Sequence, residues 1–281
     1  MNAVSERTEL LDGTSIPKVG LGSLRLGPDE TDATVKAALR SGYRLIDTAS
    51  VYGNEAAIGR AVRESGIDRD EVFLTTKVWN GDHGYQPTID AFEASRARLG
   101  VDRVDLYLIH WPVAPVERML ESWSALIELR KRGDVRAIGV SNFMVKHLRA
   151  VVENFDEVPV VNQIECHPLF QQPELEAYQR EHGIVTQAWA PLGKGRVLEH
   201  PTVAALSAKH GVGAAQVVLN WHLARGRIVI PKSTNAERIA QNIDLDFEMP
   251  EADLAAVDAM NEDLRLGSHP DAPPTNALPE Q

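Results

Sequence analysis

Short runs of β-branched and aliphatic residues alternate with longer amphipathic stretches along most of this 281-residue chain. Near-continuous runs of Val, Ile and Leu are typical of parallel strands that are buried on both faces. The pattern predicts eight strands, at 18–22, 45–47, 72–77, 104–110, 135–140, 160–164, 185–188 and 228–231. Eight strand–helix units without a low-complexity linker predict one α/β domain over 1–281, folded as a closed (β/α)8 TIM barrel.

The stretches between the strands predict eight helices, at 31–41, 55–65, 87–99, 116–132, 145–154, 173–182, 202–224 and 236–243. Five glycines follow helical stretches, where a left-handed residue often ends a helix; they are Gly42, Gly66, Gly100, Gly133 and Gly183. Pro87 and Pro173 stand where a helix can begin without a backbone N–H. A doubly wound sheet is disfavoured because the first strand runs into GLGSLRLGPDE, which lacks the G-x-G-x-x-G fingerprint.

Three segments lie outside the eight units. Residues 1–17 contain an Asp12-Gly13 turn and predict an N-terminal hairpin that covers the amino end of the barrel. Residues 251–260 predict one extra helix, and the tail at 261–281 is rich in proline and has no periodicity. This tail is either flexible or folded over the barrel mouth.

Composition limits the partners and the compartment. A net charge of −11, spread along the chain, disfavours binding to nucleic acid, where Lys and Arg supply most of the affinity. There is no apolar signal segment and no run of eighteen apolar residues, so we expect a cytoplasmic protein without a membrane anchor. Cys166 is the single cysteine, which excludes an intrachain disulfide. No feature indicates an oligomer, and we expect a monomer.

Polar side chains stand at the ends of the predicted strands. Active sites of barrel enzymes lie at the carboxyl ends of the strands, so polar residues there indicate chemistry rather than packing. The strand-end residues are Asp47, Lys77, His110, Ser141, Asn142, Gln163, Glu165, Trp189 and Lys232.

Asp47, Lys77 and His110, pointed into one pocket, suit the protonation of an oxygen that gains negative charge. A buried lysine paired with a carboxylate can stay charged. Tyr52 lies five residues after Asp47, and a nearby ammonium is expected to lower its pKa from about 10 and make it a better general acid. His110 can be a second donor. Taken singly, Tyr52 and His110 are also ordinary core residues, and an Asp–Lys pair is commonly structural.

Six segments then resemble the aldo-keto reductase family, in order and in spacing. They are GYRLIDTASVYGNE (42–55), FLTTKVWN (73–80), LYLIHWP (106–112), RAIGVSNF (136–143), VNQIECHP (161–168) and IPKSTNAERIAQN (230–242). The short connection after Trp111 and the short tail look most like the bacterial members similar to 2,5-diketo-D-gluconate reductase. The resemblance covers the chain from the hairpin to about Met260.

The resemblance implies a catalytic set of Asp47, Tyr52, Lys77 and His110. Tyr52 would be the proton donor, activated by Lys77, which Asp47 holds, and His110 would orient the carbonyl. It also implies NADPH/NADP+ as cofactor, with Ser141, Asn142 and Gln163 on the carboxamide and Trp189 on the nicotinamide ring. Further cofactor residues would be Leu192 and Gly193 in the following loop, Lys232, Ser233, Thr234 and Arg238 at the 2′-phosphate, and Gln241 and Asn242 at the adenine.

Two of these implications have alternatives. A phosphate held by Lys232 and Arg238 is a charge-assisted site that makes sense in an acidic protein, but the segment could also be a solvated helix start capped by Thr234 or Asn235. Leu24, Trp79 and Trp111 would line the substrate pocket, or would only pack. Ala190 replaces a serine that many family members have, which removes one phosphate contact.

Three functions follow from the sequence. The first is an NADPH-dependent oxidoreductase that reduces aldehydes, ketones or dicarbonyls. The second is an NADPH-binding redox sensor on the same barrel, with slow turnover. The third, a metal-dependent lyase or hydrolase, is disfavoured because a lysine stands beside the few candidate ligands, and we expect no metal.

Overall fold

A computed structural model describes residues 6–274 of the chain. Eight parallel strands, β3 to β10, lie side by side in chain order, and a parallel bridge between Val19 and Val229 joins the two ends of the sheet. The strands are β3 (Leu21–Gly22), β4 (Leu45–Asp47), β5 (Phe73–Val78), β6 (Val104–Ile109), β7 (Val135–Ser141), β8 (Val161–Glu165), β9 (Val185–Trp189) and β10 (Ile228–Val229). The predicted (β/α)8 barrel is confirmed, although its first and last strands are shorter than predicted.

Helices surround the sheet. They are α1 (Pro28–Arg40), α2 (Glu55–Glu64), α3 (Tyr85–Leu99), α4 (Val116–Arg132), α5 (Val145–Asn154), α6 (Pro173–Glu181), α7 (Pro201–His210), α8 (Ala214–Ala224), α9 (Ala236–Gln241) and α10 (Glu251–Asp258). All five glycines predicted to end helices have positive φ. Pro173 occupies the start of α6, whereas α3 begins two residues before Pro87.

The prediction of a single helix at 202–224 is wrong. Gly211 adopts a left-handed φ of 67° and ends α7, and Gly213 stands before the first residue of α8. Glycine is poorly suited to a helix interior because it gives up more backbone freedom there than any other residue. Two glycines within three residues therefore break the helix although the apolar pattern continues.

The N-terminal hairpin is present as β1 (Arg7–Glu9) and β2 (Ser15–Pro17). Leu10 and Ile16 are buried against side chains from the beginnings of the barrel strands, among them Leu45 and Phe73. The hairpin thus covers the amino end of the barrel, as predicted. Residues 1–5 of the predicted 1–17 segment lie outside the described residues.

The tail folds over the opposite end of the barrel. We call residues 261–274 the strap. Its backbone is bonded to Leu169 near its start, to Glu165 in its middle, and to Asn80 at Pro274. Of the two alternatives for the tail, the folded one is therefore correct for this part, and 275–281 lie outside the described residues. No helix within 6–274 has both the length and the apolar character needed to cross a membrane.

Candidate active site

Asp47 and Lys77 form a buried ion pair between two neighbouring strands. Asp47 ends β4, and Lys77 lies near the carboxyl end of β5. The Lys77 Nζ donates to Asp47 Oδ1 at 2.6 Å and to the Thr48 carbonyl at 2.8 Å. Burial raises the pKa of Asp47 and lowers that of Lys77, while the attraction between the two charges opposes both shifts. Breaking such a pair would leave a buried charge without a partner.

The second oxygen of Asp47 belongs to a network across two further strands, β8 and β9. Asp47 Oδ2 accepts from Gln163 Nε2 at 2.6 Å, and the same nitrogen donates to Gln187 Oε1 at 2.7 Å. Gln187 was missed in the sequence, although a polar residue two positions before Trp189 in a buried strand was an available signal. The Thr48 carbonyl was missed because a backbone acceptor leaves no mark in residue type.

Tyr52 is placed by a short, well-bonded loop. It ends a single 3-10 turn, and Gly53 follows with a φ of 69°. Thr48 Oγ1 donates to Asn54 Oδ1 at 2.7 Å, and Asn54 Nδ2 donates to the Ser23 carbonyl at 2.9 Å. These bonds hold both ends of the loop, so the Tyr52 ring lies with its centroid 5.3 Å from Lys77 Nζ.

The pKa of Tyr52 shifts in the direction opposite to the one predicted. Burial and the negative charge of Asp47 raise the pKa of Tyr52 well above 10. The Lys77 ammonium, which is shared with Asp47 and the Thr48 carbonyl, favours the phenolate but does not outweigh burial and Asp47. The phenol is therefore protonated at neutral pH and is available as a proton donor.

His110 stands next to Tyr52 at the end of β6. The two ring centroids are 5.7 Å apart, and Trp79 lies edge-on to the imidazole at 5.1 Å. Burial, together with the positive charge of Lys77, lowers the pKa of His110 well below 6.5. The imidazole is therefore uncharged at neutral pH and can donate through one N–H only.

Two buried nitrogens at this site have no hydrogen-bond partner within residues 6–274: His110 Nδ1 and Trp111 Nε1. The two rings stack with centroids 6.4 Å apart. Buried polar atoms are rarely left without a partner, so a buried donor that lacks one suits a ligand oxygen. Of the three predicted pocket residues, Trp79 and Trp111 thus contact His110. Leu24 is half-buried and follows Ser23, whose hydroxyl donates to the Asp47 carbonyl at 2.7 Å.

The residues expected at the carboxamide and the nicotinamide lie beside this centre. Asn142 has a left-handed φ of 62°, and its Nδ2 donates to the His110 carbonyl at 3.0 Å. Trp189 Nε1 donates to Asn142 Oδ1 at 2.8 Å, and Ser141 Oγ donates to the Gln163 carbonyl at 2.8 Å. Half-buried Leu192 and buried Gly193 follow in the loop after β9. One hydrogen-bonded chain thus connects the indole to His110.

The expected phosphate residues follow β10: Lys232, Ser233 and Thr234 lie between β10 and α9, and Arg238 lies within α9. Asn235 Oδ1 caps α9 by accepting from the Arg238 N–H at 2.9 Å, so the capping alternative holds for Asn235. Within 6–274 no partner for the side chains of Lys232 and Arg238 is found. The remaining predicted residues are exposed Thr234 and Gln241, half-buried Ser233 and buried Asn242.

Among residues 6–274, no group of three or more His, Cys, Asp or Glu side chains is arranged to hold a metal ion.

Comparison with known proteins identifies the family of the chain. The model of the Aldo/keto reductase family matches residues 18–262. The chain belongs to this family. An aldo-keto reductase of Mycobacterium sp. (strain KMS) is 50% identical to it over 262 residues, which cover 93% of this chain and 95% of the relative.

Two further proteins are similar to this aldo-keto reductase over most of its length. The glyoxal reductase of Bacillus subtilis (strain 168) is 43% identical over 271 residues, 96% of this chain and 98% of the relative. The crystal structure of a Gox0644 mutant in complex with NADPH superimposes with a TM-score of 0.91. It is 44% identical and covers 94% of this chain and 97% of its own. The family resemblance seen in the sequence is confirmed, and so is the fold.

Proposed function

We propose that this aldo-keto reductase reduces small aldehydes, ketones or dicarbonyls to alcohols, with NADPH as the hydride donor and Tyr52 as the general acid. The observation that carries the proposal is the meeting of Tyr52 and His110, with centroids 5.7 Å apart, beside the buried Asp47–Lys77 pair. A glyoxal reductase among the relatives supports a dicarbonyl substrate, and a relative in complex with NADPH supports the cofactor.

The residues present fit NADPH. Lys232 and Arg238 have exposed cationic side chains without a partner in the described residues, which suits the 2′-phosphate that distinguishes NADPH from NADH. The half-buried Trp189 indole can stack on the nicotinamide, and the Ser141, Asn142 and Gln163 side chains can hold its carboxamide. When bound, NADPH supplies a hydride from the C4 atom of its nicotinamide.

Tyr52 and His110 act on the carbonyl oxygen. The imidazole is uncharged, so its N–H orients the oxygen without giving up a proton. As the oxygen gains negative charge, Tyr52 donates its phenolic proton to it. An alkoxide is more basic than a phenolate, so this transfer is favourable even though the pKa of Tyr52 is raised. The phenolate that forms lies near the ammonium of Lys77, which stabilises it until it regains a proton.

The test is to mix the protein with NADPH and methylglyoxal and to follow the reduced-nicotinamide absorbance. We expect consumption of NADPH by the wild type and a decrease in kcat of about 10²- to 10⁴-fold in Tyr52→Phe, with NADPH affinity retained. Tyr85→Phe, at an exposed tyrosine, is the matched control and should match the wild type. NADPH binding without consumption, over a panel that includes a nitrobenzaldehyde, would overturn the reductase in favour of a sensor. Unchanged turnover in Tyr52→Phe would show that Tyr52 is not the general acid.

A further inference from the structure

Among the side chains that bond to the strap, Glu165 contacts it through both of its carboxylate oxygens. The Leu266 N–H donates to Glu165 Oε1 at 2.7 Å, and the Gly267 N–H donates to Oε2 at 2.9 Å. Glu165 ends β8, a hundred residues earlier in the chain. Two consecutive backbone donors thus meet the two oxygens of one carboxylate, which fixes both the position and the direction of the strap at this point.

The Glu165 carboxylate is buried, with 1% of the residue exposed. Its remaining side-chain partner is His167, whose Nε2 lies 3.2 Å from Oε1. Burial acts to raise the pKa of Glu165, but the hydrogen bonds from His167, Leu266 and Gly267 outweigh it and lower that pKa below its ordinary value. The carboxylate is therefore ionised, and hydrogen bonds to an ionised acceptor are stronger than neutral ones.

At the same point the strap lies against Trp189. A Cβ atom placed on Gly267 would lie 2.3 Å from Trp189 Cη2 and 2.9 Å from Glu165 Oε2. Only glycine permits so close an approach without a shift of the strap or of the indole. The indole is held independently by its bond to Asn142 at 2.8 Å, so strap and indole have separate supports.

From Gly267 the strap continues to the far side of the pocket. Lys194 Nζ donates to the Leu266 carbonyl at 2.9 Å, and Asn80 Nδ2 donates to the Pro274 carbonyl at 2.6 Å. Asn80 follows Trp79, whose ring contacts the His110 imidazole edge-on. The chain between Gly267 and Pro274 therefore bridges from the Trp189 side of the mouth to the Trp79 side.

We infer that Glu165 is a positioning residue that holds the strap at Leu266–Gly267 against Trp189 and thereby sets the opening through which a carbonyl compound reaches Tyr52. Glu165 does not touch the reacting atoms; it acts through the two backbone N–H groups of the strap. The statement about the opening rests on the proposed function, whereas the statement about the strap rests on the hydrogen bonds alone.

Glu165→Gln tests both statements in the full-length protein. The amide turns one strap acceptor into a donor that faces a backbone N–H and removes the charge. We expect hydrogen exchange at the Leu266 and Gly267 amides to become about tenfold faster, as expected for loss of a charge-assisted hydrogen bond. We expect kcat/KM for methylglyoxal to fall about tenfold, mainly through KM, with the Kd of NADPH within about twofold. Glu64→Gln, an exposed carboxylate paired with Lys36, is the matched control and should change none of these.

Gly267→Ala provides a second route to the same result. It leaves Glu165 intact but places a methyl group where Gly267 contacts Trp189. We expect the same faster hydrogen exchange at Leu266 and Gly267 and the same rise in KM. The double variant should be little worse than either single one, since both disturb one contact. Unchanged hydrogen exchange at Leu266 and Gly267 in Glu165→Gln would show that Glu165 does not hold the strap. This outcome does not depend on whether the protein reduces carbonyls. Faster exchange with an equal loss of NADPH affinity, or with KM unchanged, would overturn the control of the substrate opening.

Discussion

The ammonium of Lys77 and the carboxylate of Asp47 form a 2.6 Å ion pair between adjacent strands, and both side chains are almost completely shielded from solvent. Lys77→Met leaves the carboxylate buried without its cation. We expect the free energy of unfolding to fall by about 3–5 kcal/mol, together with loss of carbonyl reduction. Chemical denaturation and the NADPH consumption assay measure the two effects separately.

The double variant Asp47→Asn with Lys77→Met separates stability from chemistry. Removing both charges removes the unpaired buried charge, so we expect most of the lost stability to return. Activity should stay lost, because the ammonium that stabilises the Tyr52 phenolate is absent. Equal destabilisation of the single and double variants would contradict the assignment of the loss to an unpaired charge.

The raised pKa of Tyr52 predicts the pH dependence of the reduction. Burial and Asp47 raise the pKa of the phenol well above 10, and burial keeps the pKa of His110 well below 6.5. Neither group changes its protonation between these limits. The rate of reduction should therefore be flat from about pH 6.5 to about pH 9, measured as kcat at saturating NADPH. A fall in kcat that tracks a group titrating near pH 8 would mean that Lys77 outweighs burial and Asp47 and lowers the pKa of Tyr52.

Periodicity was sufficient to predict the barrel, because eight apolar strands between amphipathic helices leave few other ways to bury the sheet. Strand-end placement was sufficient to bring Asp47, Lys77 and His110 to one pocket. The break in the helix at Gly211 and Gly213 was missed because the apolar pattern continues through it. The backbone preference of glycine, rather than the apolar pattern, decides where this helix ends.

Two features of the site depend on distances that sequence does not contain. The direction of the Tyr52 shift depends on how completely the ring is removed from solvent and on how close Asp47 lies to it. The position of the strap depends on hydrogen bonds from the backbone of an aperiodic tail to Glu165, a hundred residues away. Neither Leu266 nor Gly267 has a side chain that indicates such a partner.

Arg238→Ala is expected to weaken NADPH much more than NADH. The Arg238 side chain is exposed and has no partner within the described residues, and a charge-assisted contact with a 2′-phosphate contributes about 1.5–3 kcal/mol. We therefore expect the Kd of NADPH to rise about 10- to 100-fold and that of NADH by less than about threefold. Fluorescence titration with both nucleotides measures the two constants. Arg238→Lys should lose less, and equal losses for both nucleotides would argue against a phosphate at this residue.

His83 predicts how the fold responds to acid. It is 1% exposed, and neither ring nitrogen has a hydrogen-bond partner within residues 6–274. Burial, and secondarily the charge of Arg118, lowers its pKa to about 4, compared with about 6.5 in an unfolded chain. The unfolded protein therefore binds more protons below pH 6.5. Stability is fully present above that pH and is lost as the pH falls towards 4, by about 3 kcal/mol for this residue.

His83→Gln isolates this contribution from those of His110 and His222, whose pKa values burial also lowers. His222 titrates in wild type and variant alike, and the charge of His83 is the smallest of the three causes that lower the pKa of His110. Most of the difference between the two stability curves therefore belongs to His83. We expect the variant to be less stable at pH 7, where it loses packing, but to lose less further stability between pH 6.5 and 4. Urea unfolding at a series of pH values measures both slopes, with His269→Gln at an exposed histidine as the control. Parallel slopes for His83→Gln and wild type would show that His83 takes up its proton in the folded protein as readily as in the unfolded chain.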